Sequence, residues 1–184
     1  MPEKVKIPIV ELDKPAVELK EIEIDSEIPK ITKEEVVGIL FAKFRPRKEE
    51  IFADIGCGSC AVSNFFADYV SKVYAVDMDE DVIRNAKVKE NVKLLHMHGF
   101  EFLKKYKCDI VFFGGSKDIE EMLEVASKKA RRITVNLARI ETAYKVIHAM
   151  KELGIFKEAL IINVSKSYEL AGLTAFKTIN PIFM

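Results

Sequence analysis

The 184-residue chain is 49% hydrophobic and 32% charged, a balance typical of one globular domain and too apolar for intrinsic disorder. Its 29 basic and 29 acidic residues give a formal net charge of zero, so no global basic field predicts a nucleic-acid partner. No apolar run reaches the roughly 20 residues of a membrane span, so we expect no membrane partner. The three cysteines do not form a disulfide framework and no signal peptide is recognisable, which predicts a reduced, cytoplasmic protein.

The first 31 residues read as an N-terminal extension that is separate from the rest. Residues 17–24 alternate apolar and polar side chains in the manner of a half-exposed strand. A small hairpin, an arm onto a neighbouring subunit and a loosely packed extension all fit this pattern. A helix is predicted over 32–44, because Thr32 is a good N-cap and Glu35 follows three residues later, as in a capping box.

Short apolar runs alternate with helical patterns between residues 51 and 153. The predicted strands are 51–55, 72–76, 92–97, 109–113 and 133–137, and the predicted helices are 61–69, 80–89, 100–106, 118–129 and 140–153. Such unbroken apolar strands are typical of a parallel sheet between two helix layers. Two more strands, 159–164 and 174–179, have no helix between them and predict an antiparallel hairpin. We therefore predict an α/β fold with a doubly wound, mostly parallel seven-stranded sheet, in a domain spanning residues 32–184.

The loop after the first strand carries the strongest functional signal. Asp54 ends that strand and is followed by closely spaced glycines at 56 and 58, and Asp77 ends the second strand. Glycines allow a tight turn and let a ligand approach the backbone. A carboxylate at the end of the next strand can bind both hydroxyls of a ribose. These features predict an adenosine-containing cofactor on the sheet.

Two cofactors fit this pattern. Gly56, Gly58 and Ala61 match a dinucleotide fingerprint, with Asp77 on the adenosine ribose, but such a match alone has low specificity. The acidic Asp54 directly before the loop, the helix ahead of the first strand and the C-terminal hairpin favour S-adenosylmethionine. The chain is also short for a dinucleotide-binding domain plus a substrate domain.

The order of elements and the motif ADIGCGS at 53–59 resemble the class I S-adenosylmethionine-dependent methyltransferases. More narrowly, the chain resembles the decarboxylating cobalt-precorrin-6B C(15)-methyltransferases of cobalamin biosynthesis. The stretches that carry this are IPKITKEE at 28–35, VYAVDMDEDVIRNAK at 73–87, FGGS at 113–116, Asn136, Glu141-Thr142 and Asn180-Pro181. The resemblance covers about residues 28–184 and, together with the strand-like N-terminal segment, suggests a homo-oligomer, with a tetramer as the specific expectation.

The resemblance implies a set of cofactor-binding residues: Thr32, Asp54, Gly56, Cys57, Gly58, Ser59, Cys60, Asp77 and Gly99. We expect Asp77 to bind the ribose, with a helix N-cap as the alternative. Asp54 is expected to order the loop by accepting backbone N–H groups, with the methionine ammonium as a second partner. Two positions depart from the family, which has glycine in place of Cys60 and an acidic residue in place of His98. The side chain at 60 either crowds the methionine end of the cofactor or points into helix packing.

The implied substrate is a reduced tetrapyrrole, a cobalt-precorrin, which is methylated on a ring carbon and loses carbon dioxide from an acetate side chain. The expected substrate-binding residues are Gly114, Gly115, Ser116, Arg139 and Lys33, with Lys30 and Lys117 as further cations; ordinary solvated charge is the alternative for the basic residues. Glu141 is expected to carry a proton or to cap its helix.

Other patterns and functions are weaker. The C-x-x-C of Cys57 and Cys60, and the pair His96 and His98, which we place on one face of a strand, are more simply incidental than redox or metal sites. We therefore predict no metal. A methyltransferase acting on RNA or protein and a small NAD(P)-binding regulatory domain stay open as alternatives, although FGGS after strand four is not the motif of amino-group methylation.

Overall fold

The computed structural model describes residues 34–184, apart from the side chains of residues 179 and 180. The predicted extension over residues 1–31 and the predicted site residues Thr32 and Lys33, like Lys30, lie outside the described residues. Within the described part, no helix is long and apolar enough to cross a membrane.

Helices and strands alternate along the described chain, as the sequence predicts, and most predicted helices end later than the observed ones. The elements are α1 Glu34–Phe44, β1 Ile51–Ile55, α2 Ala61–Phe66, β2 Lys72–Asp77, α3 Glu80–Asn85, β3 Val92–His96, α4 Gly99–Lys105, β4 Ile110–Phe113, α5 Ile119–Ser127, β5 Arg132–Val135, α6 Ile140–Glu152, β6 Ile161–Leu170 and β7 Leu173–Phe183.

Five parallel strands form the main sheet in the order β3-β2-β1-β4-β5. Ile55 at the end of β1 pairs with Val76 of β2 on one side and with Phe113 of β4 on the other. The carboxyl ends of these three strands therefore lie level at one edge. The strand order reverses between β1 and β4, and in open α/β sheets ligands bind in the crevice at such a point.

The prediction of one seven-stranded sheet is wrong, because β6 and β7 form a separate two-stranded antiparallel sheet. Its link to the main sheet is an antiparallel bridge between Leu137, just after β5, and Phe183. The two residues exchange backbone hydrogen bonds of 2.8 Å in both directions. Because this bridge is antiparallel, the residues of β7 before Phe183 lie opposite residues that follow Leu137 in the chain. Those residues come after the end of β5, so β7 and β5 do not pair as strands.

Apolar side chains fill the space on both faces of the sheet, as a doubly wound fold requires. One face packs α1 and α2, where the rings of Phe52 and Phe66 stack with centroids 4.3 Å apart. The other face packs α4, α5 and α6 around the fully buried Phe102 and Leu123. Burying each such side chain contributes roughly 1.5–3 kcal/mol, so the sheet is held rigidly between its helix layers.

A buried carboxylate fixes the amino end of the sheet. Glu50 is 3% exposed and pairs with the guanidinium of Arg132 at the start of β5. The same guanidinium donates to the carbonyl oxygens of Phe44 and Arg45 at the end of α1. One side chain thus connects α1, β1 and β5 at the edge opposite the strand ends that face the crevice.

Candidate functional site

The glycine loop after β1 lies against the end of β2. The N–H groups of Gly56 and Cys57 both donate to the carbonyl oxygen of Val76, at 2.8 and 3.2 Å. Gly56 has a φ of +78°, a left-handed conformation that favours glycine because it has no Cβ. The sequence therefore folds here into a loop whose backbone is held at the crevice.

Asp77 holds this loop from the end of β2. Its Oδ2 accepts the N–H of Gly58 at 3.0 Å, and its Oδ1 accepts the N–H of Asp79 at 3.0 Å. The cap of α3 is Asp79, whose carboxylate accepts the N–H groups of Asp81 and Val82. The helix-cap alternative for Asp77 is therefore wrong, and its carboxylate lies beside the loop at the crevice.

Asp54 is a buried acid with an incomplete set of partners. It is 1% exposed; its Oδ2 accepts the Ser63 hydroxyl at 2.6 Å, and its Oδ1 has no partner among the described residues. Burial raises the pKa of Asp54 to about 7, against the hydrogen bonds from the Ser63 hydroxyl and backbone N–H, which lower it. The partner thus lies in α2 rather than in the loop, and Ser63 is a site residue that the sequence did not single out.

The loop after β4 meets the glycine loop backbone to backbone. The N–H of Gly114 donates to the carbonyl oxygen of Ile55 at 2.8 Å. A Cβ at Gly114 would lie 2.6 Å from the carbonyl oxygen of Gly56, and a Cβ at Gly56 would lie 3.2 Å from the nitrogen of Gly115. The structure therefore brings together Gly56, Gly114 and Gly115. The two loops can come this close because glycine has no Cβ. Ser116 follows at the exposed end of the loop.

Cys57 and Cys60 are both buried, and their Sγ atoms lie 3.5 Å apart. Cys60 has a φ of +58°, is 0% exposed and packs in the core with α1 and α2. Of the two orientations expected for this side chain, the structure has the one in the helix packing. The hydrogen bond between the thiols, followed by burial, raises the pKa of Cys57, and the same hydrogen bond lowers the pKa of Cys60. Ser59, between them, is exposed.

Gly99 is buried at the start of α4, where the neighbouring side chains leave no room for a Cβ. A Cβ there would lie 2.5 Å from Cγ2 of Ile55 and 2.7 Å from Sδ of Met122. His98 caps this helix, since its Nδ1 accepts the Phe100 N–H at 3.1 Å. Gly99 thus lets α4 pack closely against β1 and α5.

The two histidines do not share one strand face. β3 ends at His96, whose Nε2 lies 3.0 Å from the carbonyl oxygen of Met78. His98 lies in the helix cap, and its Nε2 is 3.1 Å from Oδ2 of Asp118. The described residues contain no group of three His, Cys, Asp or Glu that could hold a metal ion.

The carboxyl end of β5 brings further polar residues to the same edge. Arg139 is the N-cap residue of α6 without a side-chain cap bond, and Glu141 lies exposed in the first turn of that helix. Asn136 follows β5, and its buried Oδ1 has no partner among the described residues. Asn136 carries part of the resemblance, but the sequence assigned it no role in the site.

Two cavities lie near the sheet, and they are separate. The smaller, about 30 Å³, is at the glycine loop and is lined by residues that include Asp54, Gly56, Cys57 and Gly114. The larger, about 970 Å³, lies between β5 and residues 155–161 and contains no residue of the glycine loop. The larger cavity is therefore not the cofactor site that the motif predicts.

Comparison with known proteins adds independent information. A relative from Archaeoglobus fulgidus is 53% identical over 157 residues, covering 84% of this chain and 95% of the relative, and is named a probable cobalt-precorrin-6B C(15)-methyltransferase (decarboxylating). A Methanosarcina acetivorans protein of the same name is 36% identical, covering 83% and 90%. The crystal structure of a precorrin 8W decarboxylase from Methanobacterium thermoautotrophicum superposes with a TM-score of 0.79 at 26% identity, covering 83% of this chain and 89% of that one.

The family comparison bears on the function classes that the sequence left open. The model of the precorrin methyltransferase domain matches residues 26–184, which include every described element. The relatives are methyltransferases by name, so the NAD(P)-binding interpretation is not supported. This chain belongs to the precorrin methyltransferase domain family.

Proposed function

We propose that this chain transfers a methyl group from S-adenosylmethionine to C(15) of cobalt-precorrin-6B and removes carbon dioxide from an acetate side chain of the same substrate. One observation carries the proposal: in a chain of the precorrin methyltransferase family, a buried Asp54 with one unpartnered oxygen lies beside a glycine loop at the crevice. The names of the relatives supply the substrate and the reaction. The residues below supply the argument for binding.

The residues present fit the cofactor. A buried carboxylate oxygen without a partner is costly, and a cationic group beside it removes that penalty. The methionine ammonium is such a group, and Asp54 lines the cavity of about 30 Å³ at the glycine loop. Asp77, beside the same loop, is proposed to bind the ribose hydroxyls. The other proposed contacts are Thr32, Gly56, Cys57, Gly58, Ser59, Cys60 and Gly99.

When bound, S-adenosylmethionine would supply an electrophilic methyl group, so the protein's main task is to position the acceptor carbon in line with it. Gly114 and Gly115 present backbone without side chains beside the loop, which leaves room for a flat macrocycle. Ser116, exposed after them, offers a hydroxyl to its edge. The buried Asn136 oxygen is a further candidate to accept a hydrogen bond from a substrate N–H.

Cations at the same edge would hold the carboxylates of the substrate. Arg139 and Lys117 are exposed, and neither makes an ion pair with another described residue, so both are available for charge-assisted hydrogen bonds; Lys33 is proposed with them. When one carboxylate leaves as carbon dioxide, its electron pair passes into the conjugated ring and the carbon that held it takes a proton. Glu141, two residues after Arg139, is proposed to deliver that proton.

Binding of S-adenosylhomocysteine, measured by calorimetry, tests the cofactor assignment. We expect Asp77→Ala to weaken binding by at least about tenfold, the equivalent of one or two hydrogen bonds to a charged group. Asp79→Ala is the matched control, because it removes the cap of α3 two residues away but no proposed ligand contact. Equal affinities for wild type and Asp77→Ala would rule out the ribose role.

Mass spectrometry of the product tests the reaction. Incubation with S-adenosylmethionine and cobalt-precorrin-6B should add one methyl group and remove one carbon dioxide. Glu141→Gln should accumulate a product with the methyl group added and the acetate retained. Methyl transfer to RNA or to protein instead of the tetrapyrrole would support the alternative substrate class. Size-exclusion chromatography with light scattering tests the proposed homo-oligomer.

A further inference from the structure

The proposed reaction uses no thiol, yet the loop that would bind the cofactor contains two that touch. The Sγ atoms of Cys57 and Cys60 share a hydrogen bond of 3.5 Å. The only residues between them are Gly58 and Ser59. The third cysteine, Cys108, is buried elsewhere, in the cluster on the other face of the sheet.

The geometry is that of a reduced dithiol ready to close. A disulfide has an S–S distance of about 2.05 Å, so the two sulfur atoms must approach by roughly 1.5 Å. The N–H of Cys60 already donates to the carbonyl oxygen of Cys57 at 2.8 Å, so the two residues are held in a tight turn. The hydrogen bond between the sulfurs stabilises a thiolate on one of them, which is the reactive form.

The pair can also be reached. Cys57 is 7% exposed and lines the cavity of about 30 Å³ at the crevice, which has room for a molecule the size of water or hydrogen peroxide. Bulkier oxidants do not fit that space. Because the two sulfur atoms are in contact, the Cys60 sulfur can accept the proton of the Cys57 sulfur at the cavity as Cys57 reacts.

We propose that Cys57 and Cys60 are a redox-active dithiol that hydrogen peroxide converts into an intramolecular disulfide. The Cys57 sulfur passes its proton to the Cys60 sulfur and attacks one peroxide oxygen, the O–O bond breaks, and a Cys57 sulfenic acid and hydroxide form. The Cys60 thiol then attacks the sulfenic sulfur, which forms the S–S bond and releases water. The two sulfurs together lose two electrons and the peroxide gains them. A small dithiol reductant reverses the change.

Oxidation would act on cofactor binding through Gly58. This residue lies inside the ring that the disulfide closes, and its N–H donates a hydrogen bond to Oδ2 of Asp77. Drawing the sulfurs together moves that N–H relative to the carboxylate. This part of the inference rests on the proposed function. It predicts that the disulfide form binds S-adenosylhomocysteine about tenfold more weakly, as for loss of one hydrogen bond to a charged group.

The experiment exposes the reduced 184-residue protein to hydrogen peroxide, blocks free thiols with a maleimide under denaturing conditions, and maps the cysteines by mass spectrometry. We expect a Cys57–Cys60 disulfide with Cys108 still free, and full reversal by dithiothreitol. S-adenosylhomocysteine at a hundredfold excess over its Kd should slow the oxidation by about two orders of magnitude, since only the ligand-free fraction reacts.

Two variants keep the test informative. Cys60→Gly keeps the left-handed backbone at 60 and removes one sulfur, so oxidation should stop at a Cys57 sulfenic acid, which dimedone traps when it is added under denaturing conditions. Cys108→Ala should leave the course of oxidation unchanged. Oxidation of all three cysteines at one rate, or of Cys57 and Cys60 only after denaturation, would overturn the proposal. A disulfide that forms in a protein unable to bind S-adenosylhomocysteine would instead leave the dithiol standing and refute the proposed function.

Discussion

Asp54→Asn is the substitution whose effect the structure specifies most closely. Burial raises the pKa of Asp54 from 3.8 to about 7 in the folded protein. A raised carboxyl pKa means that the folded state binds the proton more tightly than the unfolded state. The protonated form of Asp54 therefore stabilises the folded state. This contribution is fully present below about pH 4 and is lost as the pH rises to about 7. Because one pKa unit corresponds to about 1.4 kcal/mol, ionised Asp54 destabilises the ligand-free fold by roughly 4 kcal/mol.

Asparagine has nearly the same shape and does not ionise. At pH 8 we expect Asp54→Asn to be more stable than wild type by up to about 4 kcal/mol, with the difference disappearing near pH 4. Urea unfolding of both proteins at several pH values measures this, and subtracting the two curves removes the contribution of the histidines. A difference that does not change with pH would refute the assignment of a strained, buried charge at this position.

The same variant separates stability from binding. If the ammonium of the cofactor is the missing partner of Asp54, binding requires the ionised carboxylate. As the pH increases towards 7, the affinity of wild type for S-adenosylhomocysteine should therefore rise by up to about tenfold per pH unit. Above pH 7 the affinity should stay constant. Asp54→Asn should bind weakly without this pH dependence. Stronger binding by the asparagine variant at pH 8 would mean that the cationic group lies elsewhere.

Three further substitutions test the site and the packing of the sheet. Gly114→Ala places a Cβ 2.6 Å from the carbonyl oxygen of Gly56. It should therefore push the loops after β1 and β4 apart and lower the affinity for S-adenosylhomocysteine in calorimetry. The control is Gly38→Ala, in α1 with open space around it, which should leave that affinity unchanged. Gly99→Ala should destabilise the fold by about 1–3 kcal/mol through overpacking against Ile55 and Met122, measured by urea unfolding. Arg132→Met leaves Glu50 buried without its partner and should cost about 3–5 kcal/mol in the same assay, whereas Arg131→Ala, whose side chain is 71% exposed, should change stability little.

The sequence predicted the main fold well where local pattern and tertiary structure agree. The fully buried β4, Ile110–Phe113, reads as an unbroken apolar run, and the observed β1, Ile51–Ile55, has the predicted bounds. The error in the sheet came from a property that periodicity does not encode. The pattern of β6 and β7 shows two strands without a helix between them, but their register against β5 depends on the position of one bridge, Leu137 to Phe183.

In the candidate site, too, the sequence predicted the residues with a local signal and missed those whose role depends on tertiary contacts. Motif spacing identified Asp54, Asp77 and the glycines, because a loop between strand and helix requires those residue types locally. It did not identify Ser63 or assign a role to Asn136, since their importance depends on burial and on partners distant in the chain. A serine on the inward face of α2 was the available signal, and a helical wheel cannot distinguish it from ordinary packing.

The two departures from the family pattern illustrate how a changed residue can be accommodated. His98, where the resemblance implies an acidic residue, caps α4 through Nδ1 and contacts Asp118 through Nε2, so it connects the loop after β3 to the start of α5. Cys60 replaces a glycine and keeps the left-handed backbone that glycine favours. A side chain with positive φ is held there by contact with Cys57 and by burial in the core. The loop therefore keeps a left-handed backbone at position 60, while the sulfur of Cys60 completes the dithiol through which we propose that oxidation acts.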